Sequence, residues 1–270
     1  MTTPDVPYSI EFSVEVPGTP DQVWAAIATA AGMSSWFLPT EAEERDGGTI
    51  VFHMGETSSR GTITGWEPPR RVAYEEPGWA ELSGHPDAAV SPLVSEFLVE
   101  AQSGGTCVVR VVSSAFGTGA DWERESLDDM KRHWMPYFEH HLRMYLERFA
   151  GQRATTMEAA ADLPGSAEAA RQAVERALGA AEVGQQVDLL GASGRVERLG
   201  DPYLVVGVTD PVPGYLSFFA FDKGDDTATV QVGGWLFGDG APGFVDQATP
   251  AWRRWLESLA VAGATPGSRR

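Results

Sequence analysis

Apolar and polar residues alternate strictly from Tyr8 to Val16, with Tyr8, Ile10, Phe12, Val14 and Val16 on one side and Ser9, Glu11, Ser13 and Glu15 on the other. That period of two belongs to a half-buried strand. Pro17-Gly18 ends it. Thr19, Pro20 and Gln22 then read as N-cap, first helical position and reciprocal partner of a capping box, opening a short helix with Val23, Trp24 and Ile27 inside. Gly32 to Pro39, carrying Trp36-Phe37, reads as a second short helix or turn. After Gly47-Gly48 the period of two returns. Thr49 to Met54, Gly61 to Trp66, Arg71 to Glu75, Ser95 to Ala101 and Thr106 to Ser113 are predicted strands, with turns at Pro68-Pro69 and Gly104-Gly105. From Asp121 to Phe149 the period changes again. Leu127, Met130, Trp134, Phe138, Leu142, Tyr145 and Phe149 recur at steps of three or four, one face of a long helix for which Asp121 is the expected N-cap. Strands joined by short turns are antiparallel and need one face covered, and this aromatic stripe is the expected cover.

The second half repeats the first at low fidelity. Leu163-Pro164-Gly165-Ser166 mirrors Val16-Pro17-Gly18-Thr19, Gly194 to Leu199 mirrors Gly61 to Trp66, and Phe237-Gly238-Asp239-Gly240-Ala241 mirrors Phe116-Gly117-Thr118-Gly119-Ala120. The predicted elements are a helix from Ser166 to Leu178, strands at Val187 to Leu190, Arg195 to Leu199, Tyr203 to Val208, Leu216 to Asp222 and Thr227 to Trp235, and a last helix from Phe244 to Ala262. Gln152 to Thr156 reads as a linker. The expected division is therefore residues 1–152 and 156–270, the second a shorter, degenerate copy whose cavity has closed.

Composition narrows the function. With 43% hydrophobic and 21% charged residues the class is globular and soluble. A net charge of −18 disfavours nucleic acid and anionic membrane surfaces as partners. Cys107 is the single cysteine, which excludes an intrachain disulfide and a cysteine-rich metal site. Met1 to Phe12 lack the basic and apolar regions of a secretory signal, so a cytoplasmic setting is the default expectation.

The element order, with Val23-Trp24, Trp36-Phe37, Gly47-Gly48, Gly61 to Pro69, and Phe116-Gly117 to Trp122 leading into the long helix, resembles the START-like (SRPBCC) superfamily over residues 8–150. Within it the match is to the group homologous to the activator of the heat-shock chaperone ATPase. The resemblance implies an α+β helix-grip fold, a curved antiparallel sheet wrapped on a long C-terminal helix with a cavity between them, here duplicated. It implies no shared catalytic motif, because members include ligand carriers, cyclase-like enzymes, drug-sequestering proteins and chaperone activators.

The residues themselves offer little catalytic machinery. No HExxH, phosphate-loop or nucleophile-elbow pattern occurs. No catalytic residue, metal or cofactor is expected. His133 and His140 share a helix face without further ligands, His53 falls on the outer side of its strand, and Cys107 reads as a buried, inert thiol. What is left is an apolar, concave site. Face assignment gives its lining as Phe52, Met54, Tyr74, Phe97, Trp134, Phe138 and His141, with Trp79 on the long Gly78–Pro92 segment as a lid. The alternative is that these side chains simply fill the core and that the segment is a surface insertion. Three functions follow: non-enzymatic binding of a small apolar or aromatic molecule, a chaperone- or protein-binding surface, or a cyclase or lyase. An enzyme should show a carboxylate or histidine facing the interior with a perturbed pKa.

Overall fold

The computed structural model describes residues 5–263 and the side chains of residues 5–260. The chain divides into two compact units, Met1–Arg153 and Ala154–Arg270.

In the first unit β1 (Val6–Pro17) leads into α1 (Pro20–Ala28) and α2 (Ala30–Ser34). Then come β2 (Thr40–Ala42), β3 (Thr49–Met54), β4 (Thr57–Glu67), β5 (Arg71–Glu76), the short α3 (Trp79–Leu82), β6 (Leu93–Ala101) and β7 (Thr106–Gly117). The long helix closes the unit as α4 (Asp121–Tyr137), a π-helical turn (Phe138–Leu142) and α5 (Arg143–Arg148). The strands form one antiparallel seven-stranded sheet in the order β1-β7-β6-β5-β4-β3-β2. Thr19 and Gln22 form the capping box of α1, with Pro20 in its first turn.

The second unit runs β8 (Thr155–Pro164), α6 (Ala167–Leu178), β9 (Gln186–Leu189), β10 (Ala192–Arg198), β11 (Tyr203–Asp210), β12 (Gly214–Asp222), β13 (Thr227–Leu236) and α7 (Ala241–Gly263). Its six-stranded sheet has the order β8-β13-β12-β11-β10-β9. Strand for strand this is the order of the first sheet without β2. Both units are helix-grip folds, and the chain is a duplication. The equivalence extends to details. Gly18 and Gly165 both turn the chain at positive φ, 118° and 98°, between the first strand and a side-chain-capped helix. A Cβ on Gly61 would lie 2.5 Å from the Glu75 carbonyl oxygen, and one on Gly194 would lie 2.6 Å from that of Gly207, so both positions require glycine where strands cross closely. The register shifts just beyond each, at Ile63/Gly65 and at Val196/Arg198.

Three expectations need correction. The long helix is not a single α-helix from an Asp121 cap. Its N-cap is Ala120, and Pro136 lies inside it. Proline has no N–H for the carbonyl four residues back, and just beyond it the ladder widens into a π-helical turn at Phe138–Leu142. Second, the expected linker at Gln152 to Thr156 overlaps a strand absent from the sequence reading, β8, which is paired along its length with β13. Third, the Gly78–Pro92 segment is not an open loop, since it contains α3.

Register rows explain how the first sheet builds its inner face. Directly opposed residues share a face, as do residues two apart on one strand. One row runs Phe12, Val111, Phe97, Val72, and the next runs Ile10, Ser113, Ser95, Tyr74, Ile63. All nine are buried. Phe138 of the π-turn meets this face, with ring centroids 5.5 Å from Phe12 and 5.7 Å from Phe97, and it also packs on Trp36 at 4.8 Å. In the second unit the corresponding face is closed by an apolar cluster that includes Leu204, Val206, Leu216, Phe218, Trp252 and Leu256.

Candidate functional site

The inner face of the first unit is aromatic along one path. Phe52 packs on Tyr74 at 5.3 Å, Tyr74 stacks on Phe97 at 5.6 Å, and Phe97 on Phe138. Phe37 links Phe52, Trp134, Tyr137 and Phe138 at centroid distances of 5.5–6.3 Å. His141 is buried and stacks on Tyr137 at 4.0 Å. Six of the eight side chains expected at the site, Phe52, Tyr74, Phe97, Trp134, Phe138 and His141, therefore fall in one aromatic assembly, joined through Phe37 and Tyr137.

The other two lie elsewhere. Met54 is partly exposed at the end of β3, beside the turn into β4. Trp79 is not an open lid. It is 3% exposed in α3, its ring centroid is 5.5 Å from that of Trp122, and its Nε1–H donates to the Ser91 carbonyl at 2.8 Å. Trp122 begins α4, 16 residues before Phe138 and so roughly 24 Å along the axis at 1.5 Å per residue.

Burial along the helix is uneven. Phe138, Leu142 and Tyr145 are buried, whereas Met130 and Trp134 are only partly so. Phe37 is the one ring in contact with Trp134 among the described residues. Beside the row of Phe12, Val111, Phe97 and Val72 the inner face of the sheet turns polar. Ser95 and Ser113 share a hydrogen bond of 2.9 Å between their hydroxyls. Glu76, 7% exposed, accepts a hydrogen bond from the Ser59 hydroxyl through Oε1. Burial pushes its carboxyl above the usual range, against that bond's pull downwards. Burial and then the neighbouring Glu76 push the Tyr74 phenol well above its ordinary value. Tyr74 and Glu76 are two apart on β5, so both face inwards.

Sequence reasoning passed over Glu76, because Tyr74-Glu75-Glu76-Pro77 resembles a solvated acidic end to a strand. Parity with Val72 and Tyr74 was the available signal. A second buried carboxylate was also missed. Glu123, fully buried in the first turn of α4, accepts four hydrogen bonds of 2.9 Å: from the Thr118 N–H and hydroxyl through Oε1, and from the Tyr8 hydroxyl and Gly119 N–H through Oε2. Burial alone would raise it, but the bonds outweigh burial and hold it below the usual carboxylate range. A Cβ on Gly117 would lie 2.3 Å from Oε2, so this glycine makes room for the carboxylate. Cys107 is buried, and burial raises its thiol, which keeps it a poor nucleophile. Among the described residues no three His, Cys, Asp or Glu side chains gather closely enough to hold a metal ion.

A family model described as polyketide cyclase / dehydrase and lipid transport matches residues 7–143 of the 270. The chain belongs to this family. Its place in the START-like superfamily agrees with the residues that first suggested it. Comparison with curated proteins finds no match. Among solved structures, the di-domain ARO/CYC BexL of the BE-7585A biosynthetic pathway is similar over 97% of this chain and 100% of its own, at 14% identity and a TM-score of 0.44. DynU16 of the dynemicin biosynthetic locus is similar over 94% of this chain and 97% of its own, at 17% identity and a TM-score of 0.42. The Aha1 dimer from Colwellia psychrerythraea covers 52% of this chain and 97% of its own, at 18% identity and a TM-score of 0.42. The polyketide cyclase / dehydrase match falls wholly within the first unit, the one with the polar floor. No helix among the described residues is long and apolar enough to cross a membrane.

Proposed function

We propose that the first unit binds a small, largely aromatic molecule between the Met130–Trp134 part of α4 and the floor formed by Phe52, Tyr74, Glu76 and Phe97. The observation that carries this reading is the change in burial along the helix. The stripe is sealed from Phe138 onwards but only partly covered at Met130 and Trp134, while the inner face of the sheet is itself buried. An apolar wall with a few convergent polar groups is what a small-molecule site needs. Phe138 and His141 close the inner end, and Trp134 lies at the mouth. The second unit, with an apolar cluster on the equivalent face, is a filled copy. The reading includes a cytoplasmic setting and no cofactor.

A neutral, environment-sensitive dye such as 6-propionyl-2-dimethylaminonaphthalene tests it. The dye should bind wild type, and Met130→Trp, which fills the space from the roof, should weaken binding about tenfold or more. Absence of binding, or indifference to Met130→Trp, favours the protein-binding surface instead. Catalysis is a second reading, favoured by Glu76 alone. A buried carboxyl whose neutral form burial favours, beside a phenol, suits a general acid. Loss of turnover on a poly-ketone substrate in Glu76→Gln, with dye binding kept, would support catalysis over carriage.

A further inference from the structure

Two polar groups on the floor have no protein partner. The Tyr74 hydroxyl makes no hydrogen bond among the described residues, and Glu76 uses Oε1 alone, leaving Oε2 without a partner. Both side chains are more than nine-tenths buried, at 1% and 7% exposure. Neither polar atom is wholly sealed, so each can hydrogen-bond to a ligand or water. The duplication provides an internal control. Ile63 opposes Tyr74 in the first sheet, and its counterpart Val196 opposes Val206 in the second. Two residues further on, Glu76 corresponds to Val208, which opposes Gly194. Ser95, opposite Tyr74, corresponds to Leu216, opposite Val206. The same fold is therefore built with valines and leucine where the first unit carries a phenol, a carboxyl and a hydroxyl. Folding does not require the polar set.

We propose that Tyr74 and Glu76 are the polar anchor of this site, and that they select uncharged aromatic ligands bearing a hydrogen-bond-accepting oxygen over the corresponding carboxylates. The inference rests on the ligand-binding reading above and names the ligand's chemistry. Residues two apart on a strand are roughly 6.6 Å apart along it, so the pair can hold one oxygen between them or two oxygens on a fused ring system. Both groups donate in their neutral forms, and burial favours those forms. A ligand carboxylate would accept from the same two donors but would find no Lys or Arg to balance its charge. No Lys or Arg is buried among the described residues, and Arg71, on the same strand but the opposite face, is held by Glu67 and Glu96. A buried charge with no opposite charge beside it is disfavoured.

Three ligands on one scaffold test this with the full chain: naphthalene, 2-acetylnaphthalene and 2-naphthoate, titrated by tryptophan fluorescence. In wild type the ketone should bind about two- to tenfold tighter than naphthalene, the worth of one or two net hydrogen bonds. Naphthoate should bind at least about tenfold more weakly than the ketone. Glu76→Val copies the residue that the second unit carries at this place and should reduce the ketone-to-naphthalene ratio to below about twofold. Glu76→Gln, isosteric and still a donor, should keep that ratio while narrowing the penalty on naphthoate. It provides the decisive arm should Glu76→Val fold poorly by circular dichroism. Naphthalene binding without any ketone advantage, or naphthoate binding as tightly as the ketone, overturns the anchor and leaves the ligand-binding reading standing. Failure of naphthalene and the ketone alike to bind wild type overturns both.

Discussion

Glu123→Gln should be among the most damaging isosteric changes in the first unit. The carboxylate is fully buried and each oxygen accepts two bonds, joining β1 through Tyr8 and the loop after β7 through Thr118 and Gly119 to the start of α4. An amide offers one acceptor oxygen and one NH2. Whichever way it sits, the NH2 meets one backbone N–H, of Thr118 or Gly119, and the hydroxyl beside it must turn from donor to acceptor. Hydrogen bonds to charged groups contribute about 1.5–3 kcal/mol each, so losing one and weakening another should cost about 2 kcal/mol or more. The cost depends on pH, with a fixed sign. The folded carboxyl titrates below its unfolded value. Its stabilisation is therefore present above the unfolded pKa and is lost as pH falls through the folded one. Urea unfolding of the full chain, with amide exchange in β1 reporting the first unit separately, measures the difference. Wild type and variant should be well separated at pH 7 and converge in acid. A difference below about 0.5 kcal/mol at pH 7, or one that does not shrink in acid, would refute the assignment.

Phe138→Ala, which empties a fully buried site between Phe12, Trp36 and Phe97, should cost about 3–5 kcal/mol in urea melts. Trp134→Ala, with partial exposure and one ring contact, should cost less, about 1–2 kcal/mol, while weakening dye binding. Glu76 has a raised folded pKa, so stability present below its unfolded value is lost as pH rises through the folded one. Glu76→Gln should therefore be more stable than wild type at pH 8 and no more stable at pH 4, as thermal melts at the two pH values will show. Trp79→Phe removes the bond to the Ser91 carbonyl and should cost about 1 kcal/mol without changing dye affinity.

The sequence disclosed what depends on local period and turn chemistry. The alternation of Tyr8 to Val16, the Thr19 capping box and the mirrored Pro-Gly turns were readable because each is set by residues within a few positions of one another. Strand β8 was not, since Ala159, Ala160 and Ala161 carry no strand preference and only the pairing with β13 makes them extended. The π-turn was hidden because the stripe from Leu127 to Phe149 keeps its spacing through Pro136, and the eye follows the apolar residues past the imino acid. The aromatic part of the site was legible from face parity on β3, β5 and β6. Its polar part was not, because a glutamate at a strand end reads as solvated unless its register with buried neighbours is followed to the last residue. Trp79 was misread for a related reason: a long segment between strands suggests a lid, and nothing local reveals that it packs on Trp122.

The central claim, that an aromatic ligand lies beneath Met130 and Trp134 in the first unit, is tested most directly by a titration of methyl-labelled methionine resonances with 2-acetylnaphthalene. The ring current of a bound guest should move the Met130 methyl strongly and saturably. Met157, buried in β8 of the second unit, should stay in place. A saturable shift at Met157 with Met130 unmoved, or no saturable shift at either, would contradict the account.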